Sequence, residues 1–349
     1  LAVLTGCMRI SKESIFTGLN NFTTFTIADV DFDEYFGFTD QEVRDLLTYY
    51  ECADKYESIK EWYDGYRFGN VDVYCPWDVV SYLRSLRTNR EAIPQNYWIN
   101  TSSNAEVKEF IRQSKNLTTK REIERLMAGE SITKTIHPEL TYKEMYESIE
   151  NIWSVLFATG YLTQSGQVDA RKFKLRIPNL EIRDIFKTQI MEYFKESVAK
   201  DGDMLGRFCK ALKNGEEKKV EDIFESYLKK TISIRAFVRK EMKENFYHGI
   251  LLGILGIKEE WGVFSNQETG EGYSDILIET ENSETAILIE VKYAGDGNLD
   301  VACERALKQV EERKYDEELS ENGVDKILKY GIACYMKRCK VKLAEESYC

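Results

Sequence analysis

The chain has 349 residues, 43% of them hydrophobic, which suffices for two or three domains with substantial cores; no apolar run approaches the roughly 20 residues that a membrane crossing needs. A net charge of −12 argues against unspecific avidity for nucleic acid, because duplex binding draws on clustered Lys and Arg. Eight cysteines without CxxC pairs, beside two histidines, argue against a Cys/His zinc centre and read as reduced thiols of a cytoplasmic protein.

Residues 1–4 form a short apolar strand that ends at Thr5-Gly6. Thr39-Asp40-Gln41-Glu42 has the capping-box pattern and opens a short helix carrying Val43, Leu46 and Leu47. Trp98 in YWINTSSN reads as a packing anchor, and His137 before Pro138 as a loop residue without chemistry. Residues 142–164 place Met145, Ile149, Ile152, Trp153 and Leu156 on one helical stripe. Residues 161–164, the polar turn SGQVDARK and residues 173–177 follow as a hairpin, ended by Pro178-Asn179 before another helix. Residues 216–232 carry Val220, Ile223, Phe224, Tyr227 and Leu228 at helical spacing, after the exposed turn KNGEEKK. Lys229, Lys230, Arg235, Arg239 and Lys240 make a basic cluster that reads as a solvated face.

Beyond it, residues 241–256 (EMKENFYHGILLGILG) read as a helix whose later part is apolar almost all round. Residues 260–266, 273–280 (YSDILIET) and 285–293 (TAILIEVKY) read as strands. A helix from 299 to about 319 carries Ala302, Ala306 and Val310 on one stripe with Gln309 beside it. Residues 328–336 supply a further strand, and Arg338, Lys340 and Lys342 alternate along one strand face after it, solvated or turned toward phosphates. With residues 281–284 as a hairpin loop, Asp275 falls opposite Glu290, and cross-strand partners have Cβ atoms roughly 5 Å apart. Glu290 and Lys292, two residues apart, share a face. Two carboxylates and one ammonium therefore converge. Such oxygen ligands can hold Mg²⁺, which lowers the pKa of a bound water and neutralises charge on a phosphodiester, while a lysine orients the water or stabilises the transition state. The competing interpretation is a surface hairpin with an ordinary Glu and Lys. His248, four residues after Glu244, could bond that glutamate, steer substrate or pack in the helix.

The order helix, three strands, helix, strand, together with this D…ExK spacing, resembles the core of the PD-(D/E)XK nuclease superfamily. The whole chain resembles AAA-ATPase-like proteins that carry such a domain at their C-terminus. The resemblance rests on ENFYHGILLGIL, SNQETGEGYSDILI, AILIEVKYA and ALKQVEERKY, and before residue 105 on LTGCMRISKESIFTGLNNF, EYFGFTDQEV, EWYDGYRFGN, YCPWDVVSYL and YWINTSSN. It implies Asp275 and Glu290 as metal ligands, the Val291 carbonyl as a third oxygen donor and Lys292 as the catalytic cation. Glu244 matches the helical glutamate of the first motif, Gln309 the helical glutamine of the fourth and Tyr315 the tyrosine after it. Gly272-Tyr273-Ser274-Asp275 departs from the family's G-R-x-D, so an arginine is missing but no ligand.

Thr5-Gly6 falls where that family senses the nucleotide γ-phosphate, yet no G-x-x-x-x-G-K-[ST] loop occurs in the chain. This implies a fragment that begins after the phosphate-binding loop, with ATP a cofactor of the intact parent alone. The expected fold is α/β and mostly helical multidomain: residues 1–135 the latter part of an ATPase-like region, 136–232 a helical, winged-helix-like region that touches DNA or packs against the ATPase region, packing being favoured, and 233–349 an αβββαβ nuclease core. The expected function is a Mg²⁺- or Mn²⁺-dependent nuclease acting on nucleic acid, DNA foremost. The alternative is a non-cleaving nucleic-acid-binding or regulatory module of an ATPase, motivated by the acidic balance and Tyr273.

Overall fold

The structure is a computed structural model that describes residues 6, 23–98, 104–114, 117–138, 140, 144–145, 147–230, 240–265, 275–281, 285–312 and 324–347, with the backbone alone at 240–242, 275, 311–312 and 345–347. The expected strand at 1–4, Thr5, Arg235, Arg239, Gly272-Tyr273-Ser274 and Tyr315 lie outside the described residues. The chain divides into two compact units, Leu1–Gln189 and Ile190–Cys349.

In the first unit, α1 (Asp40–Tyr49) opens with the capping box read from the sequence: Thr39 Oγ1 accepts from the Glu42 N–H, and Glu42 Oε2 accepts from the Thr39 N–H at 2.8 Å. Thr39→Ala should cost about 1 kcal/mol of stability in a denaturant titration, since it removes the hydroxyl that serves the Glu42 amide, which the helix itself leaves unsatisfied. With α2 (Tyr56–Tyr63), the small hairpin β1 (Tyr66–Phe68) and β2 (Val71–Val73), and α3 (Pro76–Thr88), α1 encloses a core that includes Val43, Leu47, Tyr63, Val79 and Tyr82. Then follow α4 (Ala105–Gln113), α5 (Leu117–Met127), β3 (Ile132–Thr135), α6 (Ile149–Ala158), β4 (Thr163–Asp169) and β5 (Lys172–Arg176), the three strands forming an antiparallel sheet in the order β3-β5-β4. Trp98 stacks on Tyr161 at 5.6 Å, a packing role as expected.

Two expectations need correction here. The helix expected over 142–164 begins only at Ile149, because Ser148 takes the N-cap position and its hydroxyl accepts from the Asn151 N–H; Met145 is buried from outside the helix. The segment SGQVDARK is not all turn, since β4 runs on to Asp169 with bulges after Gln164 and Gln167. Strand β3, which pairs with β5 on its other side, had no counterpart among the elements read from the sequence.

Helix α7 (Leu180–Lys200) starts at Asn179, whose Oδ1 accepts from the Ile182 N–H. Glu181 in its first turn and Asp78 in the first turn of α3 are both fully buried, and Glu181 Oε1 accepts from the Trp98 N–H at 2.8 Å. Burial, and then the neighbouring Asp78 charge, push the Glu181 carboxyl up to about 9. A carboxyl raised on folding contributes stability that is complete below its ordinary pKa, about 4.3, and is lost as pH climbs toward the folded value. The melting temperature should therefore fall between about pH 5 and 9, and Glu181→Gln should flatten that decline.

The second unit holds α8 (Gly202–Lys213), α9 (Glu217–Lys230), α10 (Lys240–Leu255), β6 (Gly262–Ser265), β7 (Asp275–Glu279), β8 (Thr285–Tyr293), α11 (Leu299–Glu312), β9 (Lys326–Tyr335) and β10 (Arg338–Ser347). Its five-stranded sheet has the order β10-β9-β8-β7-β6, antiparallel throughout except that β8 and β9 run parallel with α11 as their crossover. Central β8 is buried on both faces from Ala286 to Val291, which is why its sequence reads as a continuous apolar run. Ala302 and Ala306 let α11 lie close on the sheet; a Cβ at Gly331 would stand 2.6 Å from the Cys303 carbonyl oxygen. Helix α9 belongs to this unit, where Glu221 accepts from the Val341 N–H of edge strand β10 at 3.1 Å. The division into units thus passes through the expected 136–232 region, leaving its hairpin in the first unit and α8 and α9 in the second.

Candidate active site

The β7–β8 register makes Asp275 the Cα partner of Glu290, the pairing inferred from the position of the 281–284 loop. Both lie at one end of the strand pair: Asp275 opens β7, and Glu290 comes just after the apolar run of β8. Glu290 is completely buried, and its Oε1 lies 2.7 Å from Lys292 Nζ, as two residues on one strand face should allow. From α10, Glu244 reaches the same ammonium: its Oε2 is 3.8 Å from Lys292 Nζ, and its Oε1 accepts from the Tyr293 N–H at 3.2 Å. Glu244, Glu290 and Lys292 are thereby brought together, and Asp275 joins them through backbone register.

Other candidates sit around this group. Val291 lies between the two paired residues with its side chain buried, and pairs with Ile332 of β9. Gln309 is half-buried on α11 and is not part of the ion-pair network. His248 bonds Ser265 through Nε2 at 3.0 Å, which fastens α10 to β6 rather than holding Glu244. An aromatic support went unread in the sequence. Tyr247 stacks on Tyr293 at 6.2 Å and 14°, its hydroxyl donates to the Met336 carbonyl, and Lys243 Nζ lies 4.7 Å above the Tyr293 ring. The helical spacing of Glu244 and Tyr247 was the available signal, since residues three apart share a helix face.

Four described lysines of the basic clusters are paired within the unit, while Arg338 lies over the Tyr335 ring. Lys340 pairs with Glu221 at 3.5 Å and Lys342 with Glu304 at 2.6 Å, while Lys229 and Lys230 pair with Glu225 and Asp201. The thiols of Cys334 and Cys339, partners across β9 and β10, are pushed up by burial and pack as small apolar groups.

Glu244, Glu290 and Lys292 carry a formal net charge of −1 in a largely desolvated setting. Among the described residues, which leave out the Asp275 side chain, no three His, Cys, Asp or Glu groups form a metal-holding cluster. The donors present are all oxygen, and a fully buried carboxylate gains most from a nearby cation. That chemistry fits a hard divalent ion such as Mg²⁺ or Mn²⁺ rather than a soft one.

Comparison with known proteins agrees with this layout. Residues 242–344 match the model of a PD-(D/E)XK nuclease superfamily family, so the second unit carries a domain of that superfamily. The chain is also similar to an uncharacterized protein in the vnfD 5′ region of Azotobacter chroococcum mcd 1, 25% identical over 199 residues. Those residues are 56% of this chain and 35% of that relative, so the chain spans about a third of its length. No helix among the described residues is long and apolar enough to cross a membrane.

Proposed function

We propose that the PD-(D/E)XK domain is a metal-dependent nuclease that hydrolyses phosphodiester bonds of DNA. What supports this reading most is the buried Glu290 carboxylate bonded to Lys292 at 2.7 Å and set opposite Asp275. Asp275, Glu290 and the Val291 carbonyl would hold Mg²⁺ or Mn²⁺. Such an ion, when bound, lowers the pKa of a water and offsets charge on the scissile phosphate. Lys292 keeps its ammonium beside Glu290 and would orient the attacking water or stabilise the pentacovalent transition state. Glu244 of α10 lies 3.8 Å from that ammonium, and would join the centre through a water or a second ion. Gln309 would position the nucleophile or the substrate backbone. The resemblance of residues before 105 to an ATPase region motivates a further part of the proposal, that in the parent protein cleavage is coupled to ATP turnover.

Incubating the chain with plasmid, linear and single-stranded DNA in Mg²⁺ or Mn²⁺ tests the reading. Cleavage is expected, EDTA should stop it, and Lys292→Ala and Asp275→Ala should each remove it. Cleavage that survives both substitutions would contradict the assignment. The competing binding-only module, motivated by Tyr273 in the arginine position, would bind nucleic acid without uptake of Mn²⁺ dependent on these carboxylates, which calorimetric titration reads directly.

A further inference from the structure

Lys229, Lys230, Lys340 and Lys342, which stood out in the sequence, are neutralised by acids of the same unit, but β5 presents a different picture. Along this strand burial alternates: Phe173 and Leu175 point into the core, where Phe173 stacks on Phe157, while Lys172 and Lys174 are exposed and Arg176 is half-buried on the opposite face. Among the described residues none of these three forms an ion pair. Lys134 on neighbouring β3 shows the contrast, since it pairs with Glu122 at 2.9 Å and lies over the Trp153 ring.

Apart from Asp169, the flanks of the row are neutral. Thr133 and Thr135 of β3 are the partners of Lys174 and Lys172, and exposed Ser165 lies on β4. The acid nearest in register is Asp169, opposite Lys172, and its carboxylate is engaged by the Ala170 N–H at 2.7 Å in closing the turn. Residues two apart on a strand are about 6.8 Å apart, comparable with the step between successive phosphates of an extended polynucleotide. The hydroxyls beside them are phosphate-bonding groups.

We infer that the outer face of the β3-β5-β4 sheet binds the sugar-phosphate backbone of nucleic acid without regard to sequence, with Lys172, Lys174 and Arg176 as the phosphate contacts. This surface belongs to the first unit and does not depend on whether the second unit cleaves. It gives a chain of net charge −12 a local point of attachment for a polyanion.

The test is binding of short fluorescent duplex and single-stranded oligonucleotides to the full chain in EDTA, where metal-dependent cleavage does not intervene, across a range of salt. Each phosphate contact removed should lower the salt slope by about 1, so K172Q/K174Q should lower it by about 2 and bind more weakly on every sequence. K172R/K174R keeps both charges and should bind like the wild type. Equal affinity and slope for K172Q/K174Q, absence of salt-dependent binding by the wild type, or equal loss in the Arg and Gln variants would each overturn the inference. Loss of cleavage in Mg²⁺ with binding intact would instead count against the nuclease reading alone.

Discussion

Lys292→Ala is expected to remove cleavage and to destabilise the metal-free protein by about 3–5 kcal/mol, because it takes the nearby ammonium from a completely buried Glu290 carboxylate. Glu290 is completely buried and Lys292 Nζ is 2.7 Å away, whereas Glu244 is at 3.8 Å from the same ammonium and only supplements that pairing. Glu290→Gln removes the charge but keeps the shape. Even groups one step removed from a metal typically cost about 10–100-fold when lost, so this substitution of a direct ligand should cost at least about 100-fold in metal-dependent cleavage. Its effect on stability in EDTA should be much smaller than that of Lys292→Ala. Placing Glu290→Gln in the Lys292→Ala background should recover most of the lost stability and none of the activity. Urea unfolding of the four proteins in EDTA, alongside plasmid cleavage in Mg²⁺, separates the two effects; a double variant as unstable as Lys292→Ala would mean that the pair does not carry the electrostatics assigned to it.

Gly331→Ala should be the most damaging single methyl in the second unit. Gly331 pairs with Glu290 in the parallel β8–β9 ladder, and an added Cβ would meet the Cys303 carbonyl oxygen at 2.6 Å and the Leu307 nitrogen at 2.8 Å. Both are backbone atoms of α11, so no side chain can rotate away and the helix must rise off the sheet. Overpacking of this kind costs about 1–3 kcal/mol. Displacement beside Glu290 should also slow cleavage, since a shift of about 1 Å at a reacting centre can cost about 100-fold. Ala333, two residues along the same strand face, already carries a methyl in the core, which makes it the matching control position. Unfolding and cleavage rates unchanged in Gly331→Ala would show that α11 is held less closely than this packing implies.

The parts of the second unit that were legible in the sequence share one property: their burial pattern leaves a direct trace. β8 spans residues 285–293 as read, because a strand buried on both faces must be apolar until its function interrupts it, and the short polar loop after β7 then places Asp275 opposite Glu290. In the first unit the trace is ambiguous. Met145 is buried and Ile149 half-buried at helical spacing, yet Ser148 starts the helix between them, so a buried residue was mistaken for a helical one. β4 beyond Gln164 is an exposed, bulged strand of mixed polar residues and carries no alternation to detect. Partners distant in sequence could not be read at all. Nothing local to Lys340 or Lys342 names Glu221 or Glu304, and nothing local to Asp78 names Glu181. The same limit hid the support that Tyr247 and Tyr293 give to the strand end bearing Lys292.

The central proposal is that Asp275 and Glu290 together capture a hard cation. A crystal of the chain soaked in Mn²⁺ and measured for anomalous scattering tests this most directly. One peak within about 2.1 Å of carboxylate oxygens from both residues is predicted, and it should vanish in Glu290→Gln. A peak elsewhere, or none at this pair in crystals that take up manganese at other carboxylates, would contradict it.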